Sequence, residues 1–202
     1  KLLFMGGEIG QWHEWSERTE LDWFLLGDAD HAGLKRLVGD LNRVFKQYGA
    51  LHELDDDPEG FRWVDANDAL QSVASFLRFP KQPPLPPAQP GEAPRGPLPK
   101  GKGKHVVFVG NFTPVLRTGY RVGVPRKCRY LEVLNTDALA YGGGGVGNMG
   151  AVEAEERACH GLPYSVSLTL PPLAALYLVP ELEDDPGYAP PEPAGEAPSA
   201  KV

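Results

Sequence analysis

Cysteine is scarce in this chain: Cys128 and Cys159 are the only two in 202 residues. So sparse a pair, without metal-type spacing, argues against a disulfide scaffold or a zinc site and reads as two reduced thiols of a cytoplasmic protein. A basic excess is also lacking. Asp and Glu outnumber Lys and Arg by 27 to 20, and a net charge of -7 argues against nucleic acid or an anionic membrane as partner. No apolar stretch approaches the ~20 residues that a membrane-spanning helix needs. The usual catalytic signatures are missing too: there is no GxSxG, no HExxH and no Cys–His pairing. What the chain has in plenty is glycine and proline, 24 and 21 residues, with nine of the prolines falling between Pro80 and Pro99.

Proline marks two segments that belong to no core. Residues 80–104, PKQPPLPPAQPGEAPRGPLPKGKGK, read as an extended surface insertion between two strands, and residues 180–202 as a disordered acidic tail. The remainder divides at Gly49. Before it, residues 2–5 (LLFM) form an apolar run ending in Gly6-Gly7, which reads as a strand buried on both faces. A long polar and aromatic loop follows over residues 6–30. Leu34, Leu37, Val38, Leu41, Val44, Phe45 and Tyr48 then recur at helical steps, with Asp28 or Asp30 as cap and Gly49 as a left-handed terminator. Strand, loop and helix make one βα unit, whose loop faces the ligand in barrels and open α/β sheets. A buried first strand needs neighbours, so the chain is expected to be the C-terminal piece of a larger protein.

After Gly49 the hydrophobic period shortens. Residues 61–65, 72–79, 105–112, 120–124, 130–134, 164–170 and 175–179 read as short strands between Gly, Pro and Asp turns, which predicts an antiparallel sandwich. In 164–170, Tyr164, Val166, Leu168 and Leu170 alternate with Ser165, Ser167 and Thr169.

Few residues carry chemistry. Trp12, Trp15 and Trp23 lie among Glu8, His13, Glu14, Glu17, Glu20 and Asp22. Indole faces that stack on sugar rings, beside carboxylates that bond hydroxyls, suit a carbohydrate cleft; equally, the indoles can seal the base of the loop, Trp23 above all. Trp63 and Phe61 share one face of a strand and Arg62 and Val64 the other, so Trp63 reads first as a core aromatic. Asp55, Asp56 and Asp57 lack the ligand spacing of a calcium loop and read as a turn. The YGGGGVGNMG run has no Lys-Ser/Thr partner for phosphate and reads as a connection between strands. His105 and His160 stand isolated and read as structural. No metal and no cofactor is expected.

Taken in order, the blocks KLLFMGGEIGQ, EW, LDW, RLVGDLNRVF, ALHELDDDPEGFRWVD, NFTPVLRTGYRVGVP, EVLNTDALAYGGGGVGN and LTLPPLAALYLV resemble the C-terminal end of bacterial 1,4-α-glucan (glycogen) branching enzymes, members of the α-amylase clan (glycoside hydrolase family 13). The resemblance covers residues 1–179 apart from the insertion. It implies the last βα unit of a (β/α)8 TIM barrel over residues 1–49, followed by the clan's all-β antiparallel C-terminal domain over 50–179. It also implies transfer of α-1,4-glucan chains to C6 hydroxyls by a retaining double displacement at paired carboxylates. None of those carboxylates has a counterpart here, so no catalytic residue is assigned. The implied partners are α-glucan (amylose, glycogen) and the upstream barrel segment. Binding residues do carry over: Trp63 in GFRW, and Gln11, Glu14 and Trp15, with Trp12, on the loop at the cleft rim. The chain departs from the family pattern at Ile9, Asp56 and Arg62. Two other readings compete: a different hydrolase of the clan, and a stand-alone glucan-binding module without catalysis.

Overall fold

The computed structural model describes residues 3–81 and 104–181. Most of the insertion at 80–104 and nearly all of the tail at 180–202 lie outside the described residues. Within them, one long helix, α1 (Ala29–Gln47), precedes eight strands: β1 (Phe61–Asp68), β2 (Val73–Arg78), β3 (Val106–Asn111), β4 (Arg117–Val124), β5 (Arg129–Asn135), β6 (Ala151–Glu153), β7 (Tyr164–Leu170) and β8 (Ala174–Pro180). Six strands form one sheet in the order β1-β2-β3-β8-β5-β6, and β4 pairs with β7 in a second. Every pairing is antiparallel.

The strand pattern explains the sandwich. On β2, β3 and β8, Val73, Leu77, Val107, Val109, Leu176 and Leu178 point inward and meet Val122, Val124, Val166, Leu168 and Leu170 of the small sheet, all buried. The expected alternation of β7 holds with one exception. Ser165 is fully buried, its hydroxyl donating to the Arg157 carbonyl (2.6 Å) and accepting from Arg121 (3.0 Å). A buried hydroxyl is tolerable when both its bonds are made. The short β6 carries too little periodicity to be read from sequence; it forms because Arg129–Leu131 offers it an edge.

The outer face of the large sheet is covered in part by α1. Leu37, Leu41, Val44 and Tyr48 pack over Val106, Leu134, Val179 and Tyr177, the stripe that the three- and four-residue spacing predicts. Asp28 caps the helix by accepting from the Asp30 N–H (2.8 Å). The other end departs from expectation. Tyr48, not a left-handed Gly49, closes the helix with an extended backbone, and Gly49 opens a short 3-10 turn. A Cβ at 49 would stand 2.2 Å from the Glu53 carboxylate, which would have to swing aside.

The first turns of the helix are also clamped by the glycine-rich connection between β5 and β6. Tyr141 donates to Asp40 (2.6 Å), Arg36 donates to the Ala140 carbonyl (2.7 Å), and the Tyr141 backbone comes so close to Gly33 that a Cβ would lie 2.6 Å from its oxygen. Burial, and then the bond to Asp40, push the Tyr141 phenol well above its ordinary value. Asp137 holds the connection itself, its carboxylate accepting from the Gly144 and Val146 N–H groups (2.9 Å each).

Of the strand expected at residues 2–5, residue 2 lies outside the described residues and no strand is seen at 3–5. Leu3, Phe4 and Met5 lie outside any strand and are more than half exposed, and the chain turns at once through a Gly7 N–H to Phe4 carbonyl bond. A strand exists only where another backbone answers its hydrogen bonds, and no described strand lies beside these residues.

This architecture makes two glycines of one helix behave oppositely. Gly33→Ala is expected to cost about 1–3 kcal/mol because the connection must back away. Gly39→Ala, with nothing within 4 Å of the added carbon, is expected to stabilise by about 0.5–1 kcal/mol. Urea unfolding of both variants checks this; equal effects would mean that the connection does not clamp the helix.

Candidate functional site

The turn before β1 sets the first candidate. Asp57 accepts from the Glu59 N–H (2.8 Å) and Asp55 holds the Arg78 guanidinium (2.6 Å). The aspartate run is therefore a turn that launches a strand. Among the described residues no group of His, Cys, Asp and Glu is arranged to hold a metal ion.

On β1 the two faces separate as the sequence pattern predicts. Val64 packs toward the sandwich core, and the Arg62 guanidinium lies 5.6 Å from the centre of the Phe79 ring. Trp63 faces the other way and remains 53% exposed. It is not the core aromatic that its neighbours suggest, because the outer face of the sheet here lies beyond the reach of α1.

What Trp63 joins is a row of rings. Strand register places Trp63 opposite Phe76, Phe76 opposite Phe108 and Phe108 opposite Tyr177. Successive ring centres are 5.8, 4.5 and 5.3 Å apart, edge-on at both ends and stacked in the middle. Phe61 adds an edge-on contact to Trp63 at 5.0 Å. Such geometries match the preferred electrostatics of aromatic pairs. The row continues to Leu134, which is 4% exposed under α1. It therefore runs from a buried end beneath the helix to an open end at Trp63. Where it leaves the helix, Leu41, Val44, Phe45, Leu51 and Asp55 line a cavity of about 470 Å³ that reaches Tyr177. Tyr177 is pushed above its ordinary pKa by burial alone. The row offers apolar faces and no reacting group.

The second set of candidates lies in the loop before α1. Ile9 is buried as the anchor, and its carbonyl meets the His31 ring at 2.6 Å. The Gln11 amide is used within the loop: its nitrogen donates to the His13 carbonyl (2.9 Å) and its oxygen accepts from the Asp22 N–H (3.0 Å). Asp22 also pairs with His13 at 2.7 Å. Gln11 is thus a strut that shapes the loop. Trp12 is 72% exposed and leans edge-on against His31, while Trp15 leans on Phe4. Glu14 is exposed, and so is Trp23, which does not seal the loop. The candidates therefore fall into two groups, since the ring partners of Trp63 are Phe61 and Phe76 and those of Trp12 and Trp15 belong to the loop and α1. Phe76 and Phe108 are missed by sequence reasoning, because only the register between strands reveals that they continue Trp63.

Residues 63–181 match the family model described as the alpha amylase C-terminal all-beta domain. The chain belongs to this family. The match opens at Trp63 itself and runs one residue past β8, so the α-amylase C-terminal domain here is the antiparallel sandwich. Similarity to individual proteins extends further. The chain is 50% identical over 180 residues to the 1,4-alpha-glucan branching enzyme GlgB of Cereibacter sphaeroides, covering 89% of this chain and 22% of that protein. It is 47% identical over 184 residues to GlgB of Aromatoleum aromaticum (91% and 26%) and 49% identical over 180 residues to GlgB of Aquifex aeolicus (88% and 25%). The chain thus spans about a quarter of the length of the curated relatives it matches.

In this family member the open end of the ring row should contribute little to folding. Trp63→Ala is expected to cost no more than about 1.5 kcal/mol, the worth of its edge contacts. Leu176→Ala, fully buried between the sheets, is expected to cost about 2–5 kcal/mol. Denaturant titration compares them, and a Trp63 loss as large as that at Leu176 would return the indole to the core.

Proposed function

We propose that this chain is the C-terminal portion of a 1,4-α-glucan branching enzyme, which cleaves an α-1,4 bond and passes the chain to a C6 hydroxyl in glycogen synthesis. One observation carries the reading: identity near one-half over about nine-tenths of the chain to proteins that bear this name. In this proposal the acid and nucleophile reside on a (β/α)8 barrel segment, of which residues 1–49 are the last βα unit, its strand at 2–5 forming only against neighbouring barrel strands, and residues 1–202 supply no catalytic group. Its share of the work is to hold substrate. Trp63 presents an open indole at the end of a rigid row, and Trp12, Glu14 and Trp15 stand exposed on the loop that Gln11 shapes. Such faces and carboxylates suit the alternately apolar and hydroxylated surfaces of a glucan. A cytoplasmic location accompanies the reading; it is supported by two free cysteines and by the lack, among the described residues, of a helix long and apolar enough to cross a membrane.

Incubating the complete protein with amylose tests the activity. New α-1,6 linkages with little free reducing sugar are expected, and net hydrolysis would point to another enzyme of the clan. In that protein Trp63→Ala is expected to weaken action on long glucans by about 1–3 kcal/mol, the loss of one stacked ring. An unchanged rate would remove Trp63 from substrate binding.

A further inference from the structure

The helix α1 borders both groups of candidate residues. The ring row passes beneath it at Tyr177 and ends there at Leu134. The loop that bears Trp12 and Trp15 is tied to its first turns. The Ile9 carbonyl meets the His31 ring at 2.6 Å, and Gly10, at φ +63°, lies so close to Leu34 that an added Cβ would stand 2.9 Å from it. Where α1 sits therefore sets where the loop stands relative to the row. Apolar packing alone does not fix that seat. Leu37, Leu41, Val44 and Tyr48 decide which face turns to the sheet, but contacts of this kind are not directional. A cavity of about 470 Å³ also opens between Leu41, Val44, Phe45 and Tyr177, so packing under this part of the helix is incomplete.

A polar joint completes the seat. Gly33, Arg36 and Asp40 recur at three- and four-residue steps along α1, and all three meet the glycine-rich connection. Tyr141 donates to Asp40 (2.6 Å), Arg36 donates to the Ala140 carbonyl (2.7 Å), and the Tyr141 backbone rests against Gly33. Hydrogen bonds, unlike apolar contacts, have a preferred direction and length. The connection is held in turn by the sandwich. Asn135 of β5 accepts from the Asp137 N–H (2.9 Å) and donates to the Val146 carbonyl (2.7 Å), and β5 pairs with β8, which carries Tyr177. A continuous set of contacts thus runs from the ring row through β8, β5, the connection and α1 to the loop.

Two contacts on one ligand reinforce each other only when the span between them is held, because the second contact then forms at a high effective concentration. A helix free to shift on its seat would let the loop drift, and a small misplacement of a bound chain is costly to reaction. We propose that the Tyr141–Asp40 joint is a positioning device for long glucans: it holds the loop and the ring row at one span, so that a single chain engages both. Tyr141, Asp40 and Arg36 act through the helix and not on substrate. Such a role rests on the branching reading proposed above and deepens it, since the joint then favours donors by their length.

Branching kinetics of the complete protein on long amylose and on the shortest donor that still reacts test it. Tyr141→Phe keeps the ring and loses only the bond to Asp40. It is expected to raise KM for long amylose roughly threefold to tenfold, part of the gain that two linked contacts hold over one, while kcat and the constants for the short donor stay unchanged. Gly33→Ala disturbs the same contact by crowding instead of by a lost bond and is expected to give the same profile. Asp40→Asn, which keeps an oxygen to accept from the phenol, should retain the profile of the unaltered protein. In a Trp63→Ala background, Tyr141→Phe should add nothing, because only one surface is left to position. Equal losses on both donors, no change on either, or a full Tyr141→Phe effect without Trp63 would each overturn the proposal. An unaltered protein that forms no branches would remove the functional reading itself; branches formed equally well by Tyr141→Phe would remove only the role of the joint.

Discussion

The six-stranded sheet buries its inner face except at the edge strands but its outer face only in part, and most of what distinguishes this molecule follows from that asymmetry. A sheet of this width needs cover on both sides. The small β4–β7 sheet supplies it on one, closing a core of aliphatic side chains. On the other, α1 is one helix laid over strands β3, β8 and β5, and it cannot reach β1. The uncovered remainder is paved with rings rather than with charges. Phe76 and Phe108 are half-buried by one another, so the row stays rigid although it lies open. An ordered apolar surface that persists without cover is the physical basis of the proposal that this side of the domain holds substrate.

The conspicuous motifs of the chain serve this arrangement instead of chemistry. The glycine run after β5 bends around the Asp137 carboxylate and presses its Tyr141 backbone against Gly33, fixing where α1 sits. The aspartate run before β1 makes a turn and ties Arg78 to Asp55. Each motif looks like a ligand site in one dimension because small residues and carboxylates serve both purposes. Partners decide between them: here every one of those carboxylate bonds goes to the protein's own backbone or to a neighbouring arginine.

Two shifts in strand register place side chains where regular strands cannot. In an unbroken strand Trp63 and Asp65 would share a face. The shift between them puts an indole on one side of β1 and a carboxylate on the other. The matching irregularity at Gly119 brings Tyr120 to Asp68 from the opposite sheet.

By itself the amino-acid sequence determined the stripe of α1, seven of the eight strands to within a few residues, the antiparallel sandwich and, through its ordered blocks, the family. These are legible because burial imposes a period of 3.6 or 2 on nearby residues, and that period is local. Tertiary structure alone decided the exposure of Trp63, its continuation through Phe76 and Phe108, and the internal use of Gln11. Each of these depends on the register between strands distant in sequence, or on which face a helix happens to leave bare. It alone also decided that residues 3–5 form no strand, since an apolar run becomes a strand only when a neighbouring backbone answers it.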